Sequence, residues 1–447
     1  MSVHAEPGHH AARRARLLDL LGEHAALILP AAPELRVGRD LELRYRADPE
    51  LYYLTGITEP EAVAVLCPSH EDARFVLFVR PRDPQQEVWT GARGGPEAAQ
   101  EHFGADAAYP VTELTERLPK IVQKADTLYF RLGAGREQVE ALVRRIIVDG
   151  KKLKQRSGRG PRVLADPGLV LDDLRLIKDA HELEQIEAAA RVTAEGFREV
   201  LPLVGAGAGE WELEAALDAA FRRRGADGTA FPTIVASGAN ATVLHYVENA
   251  RRMNAGELVL IDAGAAVGLY NGDISRTFPV SGRYTPAQRT LYEVVLAARD
   301  AAIAAIRPGT LFQDVHGAAL RTLVEGLVRQ KLLDGPVDEL VEKEEAYRRF
   351  LPHRSSHWLG LEVHDVGDYT VREQPRRLEP GMALTVEPGL YVPLADPPDA
   401  AQAPGYRNVP DELRGIGIRI EDDVVVTQSG NRVLTGHLPA AAEEIEW

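Results

Sequence analysis

Short apolar runs alternate with polar turns along the first third of the chain. Residues 25–29, 62–66, 75–79 and 127–130 are runs of four or five residues rich in Val, Leu, Ala and aromatic side chains, which predicts buried strands. A helical period follows over residues 138–148. Strands alternating with helices predict an N-terminal α/β layered domain. Ahead of it, Arg13, Arg14 and Arg16 precede Leu17-Leu18-Asp19-Leu20-Leu21. Asp19, Glu23 and His24 interrupt the apolar run, so the segment reads as an amphipathic helix rather than a secretory leader. Over residues 151–173 the pattern fades into basic, Gly- and Pro-containing sequence, and the expected linker lies there.

Beyond it, Asp179 with Glu182 three residues on makes a capping-box pattern. Leu183, Ile186, Val192, Phe197 and Val200 continue with helical spacing. A second helix is marked by Thr285-Pro286-Ala287-Gln288, which places an N-cap, a proline at the first helical position and a glutamine at the third. It ends before Pro308-Gly309. Strand-like runs lie at 258–261, 274–280, 383–386 and 416–420, and the Pro-rich segment 393–410 reads as a surface loop. The expected division is an α/β domain over residues 1–172 and a catalytic α+β domain over 173–447.

Composition narrows the function. At 447 residues the chain has room for two domains. A net charge of −15 argues against a nucleic-acid partner, because phosphate binding needs clustered Lys and Arg. The local basic run from Lys151 to Arg162 reads as a solvated loop. Cys67 is the single cysteine, so no intrachain disulfide forms, and its apolar neighbours make it a core residue rather than a nucleophile. No stretch approaches the ~20 apolar residues of a membrane span. The expected location is the cytoplasm, with no membrane partner.

Four carboxylates and one histidine carry the chemistry. They are Asp262, Asp273, Glu387 and Glu421 with His357, and the acids fall at the ends of strand-like runs. An apolar core does not tolerate that many acids unpaired, so converging acids need metal ions or arginines. Oxygen ligands mixed with one imidazole suit paired Mn²⁺ or similar hard ions better than a lone tetrahedral zinc. If 258–262 and 273–279 form a hairpin turning near Val267-Gly268, Asp262 and Asp273 become direct cross-strand neighbours, and a cation between them relieves the repulsion. Arg419 precedes Glu421 by two residues, which puts both on one strand face and makes the arginine an outer partner of the site.

Histidines gather nearby. His353, His357 and His364 fall within twelve residues, and His245 precedes the aspartate hairpin. The His353-to-His357 spacing matches a zincin, but Arg354 stands where the zincin glutamate belongs. Histidines beside a dimetal centre that are not ligands can donate to a developing oxyanion or shuttle protons. There is no nucleophile elbow, P-loop or dinucleotide fingerprint.

The ordered set Asp262, Asp273, His357, Glu387 and Glu421 resembles the dinuclear pita-bread metallopeptidases. Three further segments narrow the resemblance to the bacterial aminopeptidase P, or Xaa-Pro aminopeptidase, family. They are Tyr52-Tyr53-Leu54-Thr55-Gly56-Ile57-Thr58-Glu59-Pro60-Glu61-Ala62, Glu87-Val88-Trp89-Thr90-Gly91, and residues 357–367 from His357-Trp358-Leu359-Gly360 to Val366-Gly367. The resemblance implies a creatinase-like N-terminal domain and a C-terminal pita-bread domain, a curved antiparallel sheet covered by helices. It implies two divalent ions, most readily Mn²⁺ with Co²⁺ or Zn²⁺ as competitors, and a hydroxide bridging them as nucleophile. By the same resemblance Asp262 would chelate one ion, Asp273 and Glu421 would bridge both, and His357 and Glu387 would hold the second, Glu387 doubling as general base. His245, His353 and His364 would bind substrate and stabilise the tetrahedral intermediate. Tyr391 and Arg419 would line the proline pocket, Asp40 would be the acid that pairs with that arginine, and Trp89 would reach a neighbouring subunit's site in a homodimer or homotetramer. Arg354 stands where some members have Gly and others Arg, and Asp48-Pro49-Glu50 replaces a polar stretch of the enterobacterial members.

The expected activity is release of the N-terminal residue from peptides with proline second. A prolidase, which cuts only Xaa-Pro dipeptides, shares all five ligands and is the alternative. A binding module that has lost catalysis is the reading from another class, and the complete ligand set argues against it.

Overall fold

The structure is a computed structural model and describes residues 7–446. The chain divides into two compact units, one ending at Arg175 and the other beginning at Leu176. The first is built on a six-stranded mixed sheet. Its order is Ala107–Pro110, Phe75–Val79, Val63–Leu66, Ala25–Pro30, Thr127–Tyr129, Val163–Ala165. The strands at 25–30, 63–66 and 75–79 are buried throughout, as continuous apolar runs require. Ala26, Ile28, Val63, Val65, Val76 and Phe78 pack as one face against Leu118, Leu142, Val143 and Ile146.

Two segments depart from expectation. The basic run starting at Lys151 is not a linker, because the helix Glu137–Ser157 continues through it. Its buried stripe of Leu142, Val143, Ile146 and Gly150 holds one side, and Lys154 and Arg156 sit in the last turn, where cations favour the helix dipole. Asp48-Pro49-Glu50 starts the helix Pro49–Thr55: Asp48 accepts the Leu51 N–H at 2.8 Å and pairs with Arg136, and Glu50 pairs with Arg131. That stretch is a helix cap and ion-pair anchor.

In the second unit every described strand pair is antiparallel. The expected curved sheet is broken into short pieces: Ile234–Ser237 with Leu258–Ala263 and Ile274–Pro279; Ala383–Val386 with Asp422–Val426 and Asn431–Val433; Gly389–Tyr391 with Gly417–Arg419. Side-chain and backbone bonds stitch them together. The Glu421 N–H donates to the Ser275 carbonyl at 3.0 Å, and Thr277 Oγ1 donates to the Arg419 carbonyl at 3.1 Å. Helices Ala180–Val200, Pro286–Ala305 and Phe312–Arg329 bury their apolar faces against these strands. The capping boxes at Asp179/Glu182 and Thr285/Gln288 both form.

The hairpin turns later than expected. Gly268 and Leu269 form its tip with φ of 56° and 67°, the two positive values of a type I′ turn. The register then pairs Asp262 with Ser275, not with Asp273. Asp273 stands two residues from Ser275, the spacing that returns a side chain to the same face, so the two aspartates are diagonal neighbours. Between them the strands bend at Gly264 and Gly272. A Cβ on Gly264 would lie 1.9 Å from the Gly272 carbonyl oxygen, and one on Gly272 would lie 2.9 Å from the backbone of Ala189 and Ala190. Both obstacles are backbone and cannot rotate away. Gly264→Ala is therefore expected to cost about 1–3 kcal/mol through forced backbone shifts, with metal binding impaired alongside. Thermal unfolding and metal titration check this; an unchanged midpoint with full metal binding contradicts it.

Candidate metal centre

The site lies where the stitched strands meet. Asp262 is the last residue but one of the strand Leu258–Ala263, Asp273 precedes Ile274–Pro279, and Glu421 sits between Gly417–Arg419 and Asp422–Val426. Glu387 occupies the step between Ala383–Val386 and Gly389–Tyr391 and is held by its N–H bond to the Ser355 carbonyl at 2.9 Å. His357 lies in an irregular segment fixed from both sides. Thr385 N–H donates to the His357 carbonyl at 2.9 Å, and Ser356 Oγ donates to the Thr385 carbonyl at 2.6 Å.

The structure brings all five residues to one cleft of about 490 Å³, which His245, His353, Arg354, His364 and Arg419 also line. Ligand atoms of Asp273, His357 and Glu421 lie within 4.8 Å of one another. His357 Nδ1 faces the Trp358 carbonyl at 3.0 Å. A carbonyl only accepts, so Nδ1 carries the proton and Nε2 presents a lone pair. That lone pair faces Asp273 Oδ2 and Glu387 Oε1, each at 3.6 Å. Acceptors thus confront acceptors. Asp262 Oδ1 is buried with no hydrogen-bond partner.

Arg419 neutralises only part of this charge. Its guanidinium donates to Asp262 Oδ2 at 2.6 Å, Ser275 Oγ at 2.8 Å and Tyr391 Oη at 2.8 Å. It does not touch Glu421 directly; Ser275 Oγ passes the contact on to Glu421 Oε2 at 2.9 Å. The register that sets Asp262 against Ser275 puts both beside Arg419. Tyr391 in turn meets His353 Nε2 at 2.8 Å, and His353 Nδ1 faces the Arg354 carbonyl at 2.7 Å. Arg419, Tyr391 and His353 form one hydrogen-bonded chain behind the acids.

Electrostatics register the crowding. Burial, reinforced by Glu421 and Asp262, pushes Asp273 well above the usual carboxylate range. Burial does the same to Glu421, with Glu387 and Asp262 adding to it. Glu387 is pushed up to about 8, first by burial, against the lowering effect of Arg419. His357 and His353 are both held down at about 4 by burial, hence neutral.

Other expected residues fall elsewhere. His364 stacks edge-on against His357 with ring centres 4.4 Å apart. His364 and His245 are both exposed at the cleft. Trp89 is 85% exposed on the helix Pro84–Thr90, and Asp40 is exposed at the hairpin joining Arg36–Val37 to Leu41–Glu42. The sequence reading missed Ser275, and Asp423, whose Oδ2 accepts the Asp273 N–H at 3.1 Å. Each lies two residues beyond a recognised acid, so strand alternation was the available signal.

The donor set fits divalent cations. Carboxylate oxygens and an imidazole lone pair converge with no donor among the described residues to satisfy Asp273, and one Asp262 oxygen is orphaned. Such a nest in an antiparallel fold is the centre of a metal-dependent peptidase. The chain belongs to metallopeptidase family M24, whose pattern matches residues 184–428, and carries an aminopeptidase P N-terminal domain over residues 10–129. Xaa-Pro aminopeptidase of Escherichia coli (strain K12) is 40% identical over 440 residues, 97% of this chain and 96% of that one. The structure of Pseudomonas aeruginosa aminopeptidase PepP superposes with a TM-score of 0.91 at 42% identity, covering 99% of this chain and 98% of that one. Zn-substituted E. coli aminopeptidase P in complex with product gives 0.90 at 39% identity, covering 98% and 97%.

A pH prediction follows for metal-stripped protein. Glu387 has a folded pKa of about 8, above its ordinary value of 4.5, so the folded state holds a proton that the unfolded state releases. That contribution to stability is full below the unfolded pKa and is lost as pH rises through about 8. Metal-free protein should lose stability between about pH 5 and 8, and divalent cation should restore it most at the alkaline end. A metal-free unfolding midpoint that rises over this window contradicts the assignment.

Proposed function

We propose that this chain is a Xaa-Pro aminopeptidase, releasing the N-terminal residue of peptides whose second residue is proline. The observation that carries this is the acceptor-only convergence on His357 Nε2 in a cleft open to solvent, supported by near-full-length likeness to the relatives above. Asp262, Asp273, His357, Glu387 and Glu421 are the residues that hold two divalent ions. Bound there, the ions supply Lewis acidity and lower the pKa of water.

The chain's own residues do the rest. Glu387 lies with Oε2 3.7 Å from His353 Nδ1, placed to take a proton from the attacking water and deliver it to the leaving proline nitrogen. His245 and His364, exposed at the cleft, are N–H donors for the carbonyl oxygen as charge builds on it. His353 has both ring nitrogens engaged, which suits it to holding Tyr391 and turning toward substrate only if one bond is exchanged. Tyr391 and Arg419 shape the proline side. Mn²⁺ is the metal proposed for this site, with Co²⁺ and Zn²⁺ as competitors. The Zn-substituted E. coli relative agrees with a site that takes more than one divalent ion. The chain acts as a cytoplasmic homodimer or homotetramer; the exposure of Val88 and Trp89, 81% and 85%, fits a side chain awaiting a neighbouring subunit.

After chelation and Mn²⁺ return, the enzyme should cleave an Xaa-Pro-Yaa tripeptide at the Xaa-Pro bond. Cleavage of the Xaa-Pro dipeptide alone would make it a prolidase. Asp273→Asn removes a ligand charge and should cost more than the ~100-fold typical of losing an outer partner. Full activity in that variant sinks the metal assignment.

A further inference from the structure

Charges around the cleft are unevenly used. Among the residues that line it, Arg419 and Arg354 are the two cationic side chains. Arg419 is buried and fully engaged by Asp262, Ser275 and Tyr391. Arg354 is exposed, and among the described residues its guanidinium makes no hydrogen bond or ion pair; its carbonyl alone is used, by His353 Nδ1. The backbone on either side is rigidly held. Ser355 N–H donates to His316 Nδ1 at 3.2 Å, the Ser355 carbonyl accepts from Glu387, and Ser356 Oγ donates to the Thr385 carbonyl. A free guanidinium is therefore anchored three residues from His357, in a cleft whose other cationic side chain, Arg419, is already engaged.

A short peptide brings two charges into this cleft. Its ammonium suits the acids. Its C-terminal carboxylate has no acid-free partner except Arg354, and a guanidinium fork matches a carboxylate's two oxygens. We propose that Arg354 is a specificity-determining residue that binds the C-terminal carboxylate of short Xaa-Pro-Yaa peptides, so that the enzyme favours free-acid tripeptides over blocked or long ones. This rests on the aminopeptidase reading and deepens it.

The test compares Ala-Pro-Ala with its C-terminal amide, in the Mn²⁺-loaded enzyme and in Arg354→Gln and Arg354→Lys. A charge-assisted contact of ordinary strength gives the acid a KM about tenfold below the amide. In Arg354→Gln the acid-to-amide ratio should collapse to about one; Arg354→Lys should keep part of it. Equal KM for acid and amide in the unmodified enzyme overturns the proposal, as does an equal loss on both substrates in Arg354→Gln. Calorimetric binding of the product Pro-Ala, as acid and amide, reads the same contact without turnover. Preferential binding of the acid that depends on Arg354, with neither tripeptide cleaved, would uphold the contact and bring down the aminopeptidase reading instead.

Discussion

Acceptors facing acceptors across a few ångströms set the terms for the whole second unit. His357 is oriented by the Trp358 carbonyl so that its free lone pair meets two carboxylate oxygens at 3.6 Å. No hydrogen can satisfy that contact while the imidazole is neutral and the acids are ionised. Either the acids take up protons, which their raised pKa values describe, or cations enter. Arg419, buried beside the acids, cannot do the work of those cations, because its donors are committed to Asp262, Ser275 and Tyr391.

The fold explains how such an unfavourable gathering is tolerated. Asp273, Glu387 and Glu421 sit at strand ends or steps, where a break in pairing frees the side chain, while the backbone stays bonded. Glu421 is tied to the Ser275 carbonyl, Glu387 to the Ser355 carbonyl, and Asp273 to Asp423. The Gly264 and Gly272 bend lets two strands and the helix Ala180–Val200 close to backbone contact, bringing Asp262 and Asp273 onto one face. A buried ion pair braces the loop that carries His364: Lys178 meets Asp365 at 2.8 Å with both side chains nearly inaccessible. Breaking such a pair leaves an uncompensated buried charge. Repulsion at the centre is thus opposed by packing and hydrogen bonds at the periphery.

Much of this was legible in residue order. Continuous apolar runs located four of the six strands of the first sheet to within a residue, while Ala107–Pro110 and Val163–Ala165 escaped, and the capping boxes at Asp179 and Thr285 open their helices. The five clustered residues were also named in advance, because acids flanking apolar runs have no bland structural use. What escaped was relational. The turn at Gly268–Leu269 needs a leucine in the left-handed region, which no residue preference announces, and that shift moved Ser275 opposite Asp262. The basic stretch after Lys151 reads as a linker because composition there says nothing of the apolar stripe that begins at Leu142. Long-range partners such as His316 with Ser355 leave no periodic trace at all.

The most direct test of the central claim is anomalous X-ray scattering at the manganese edge from crystals of Mn²⁺-loaded protein. Two peaks within the cluster of Asp262, Asp273, His357, Glu387 and Glu421 are predicted. No peak there in metal-saturated protein, with the carboxylates instead sharing protons among themselves, would contradict the account.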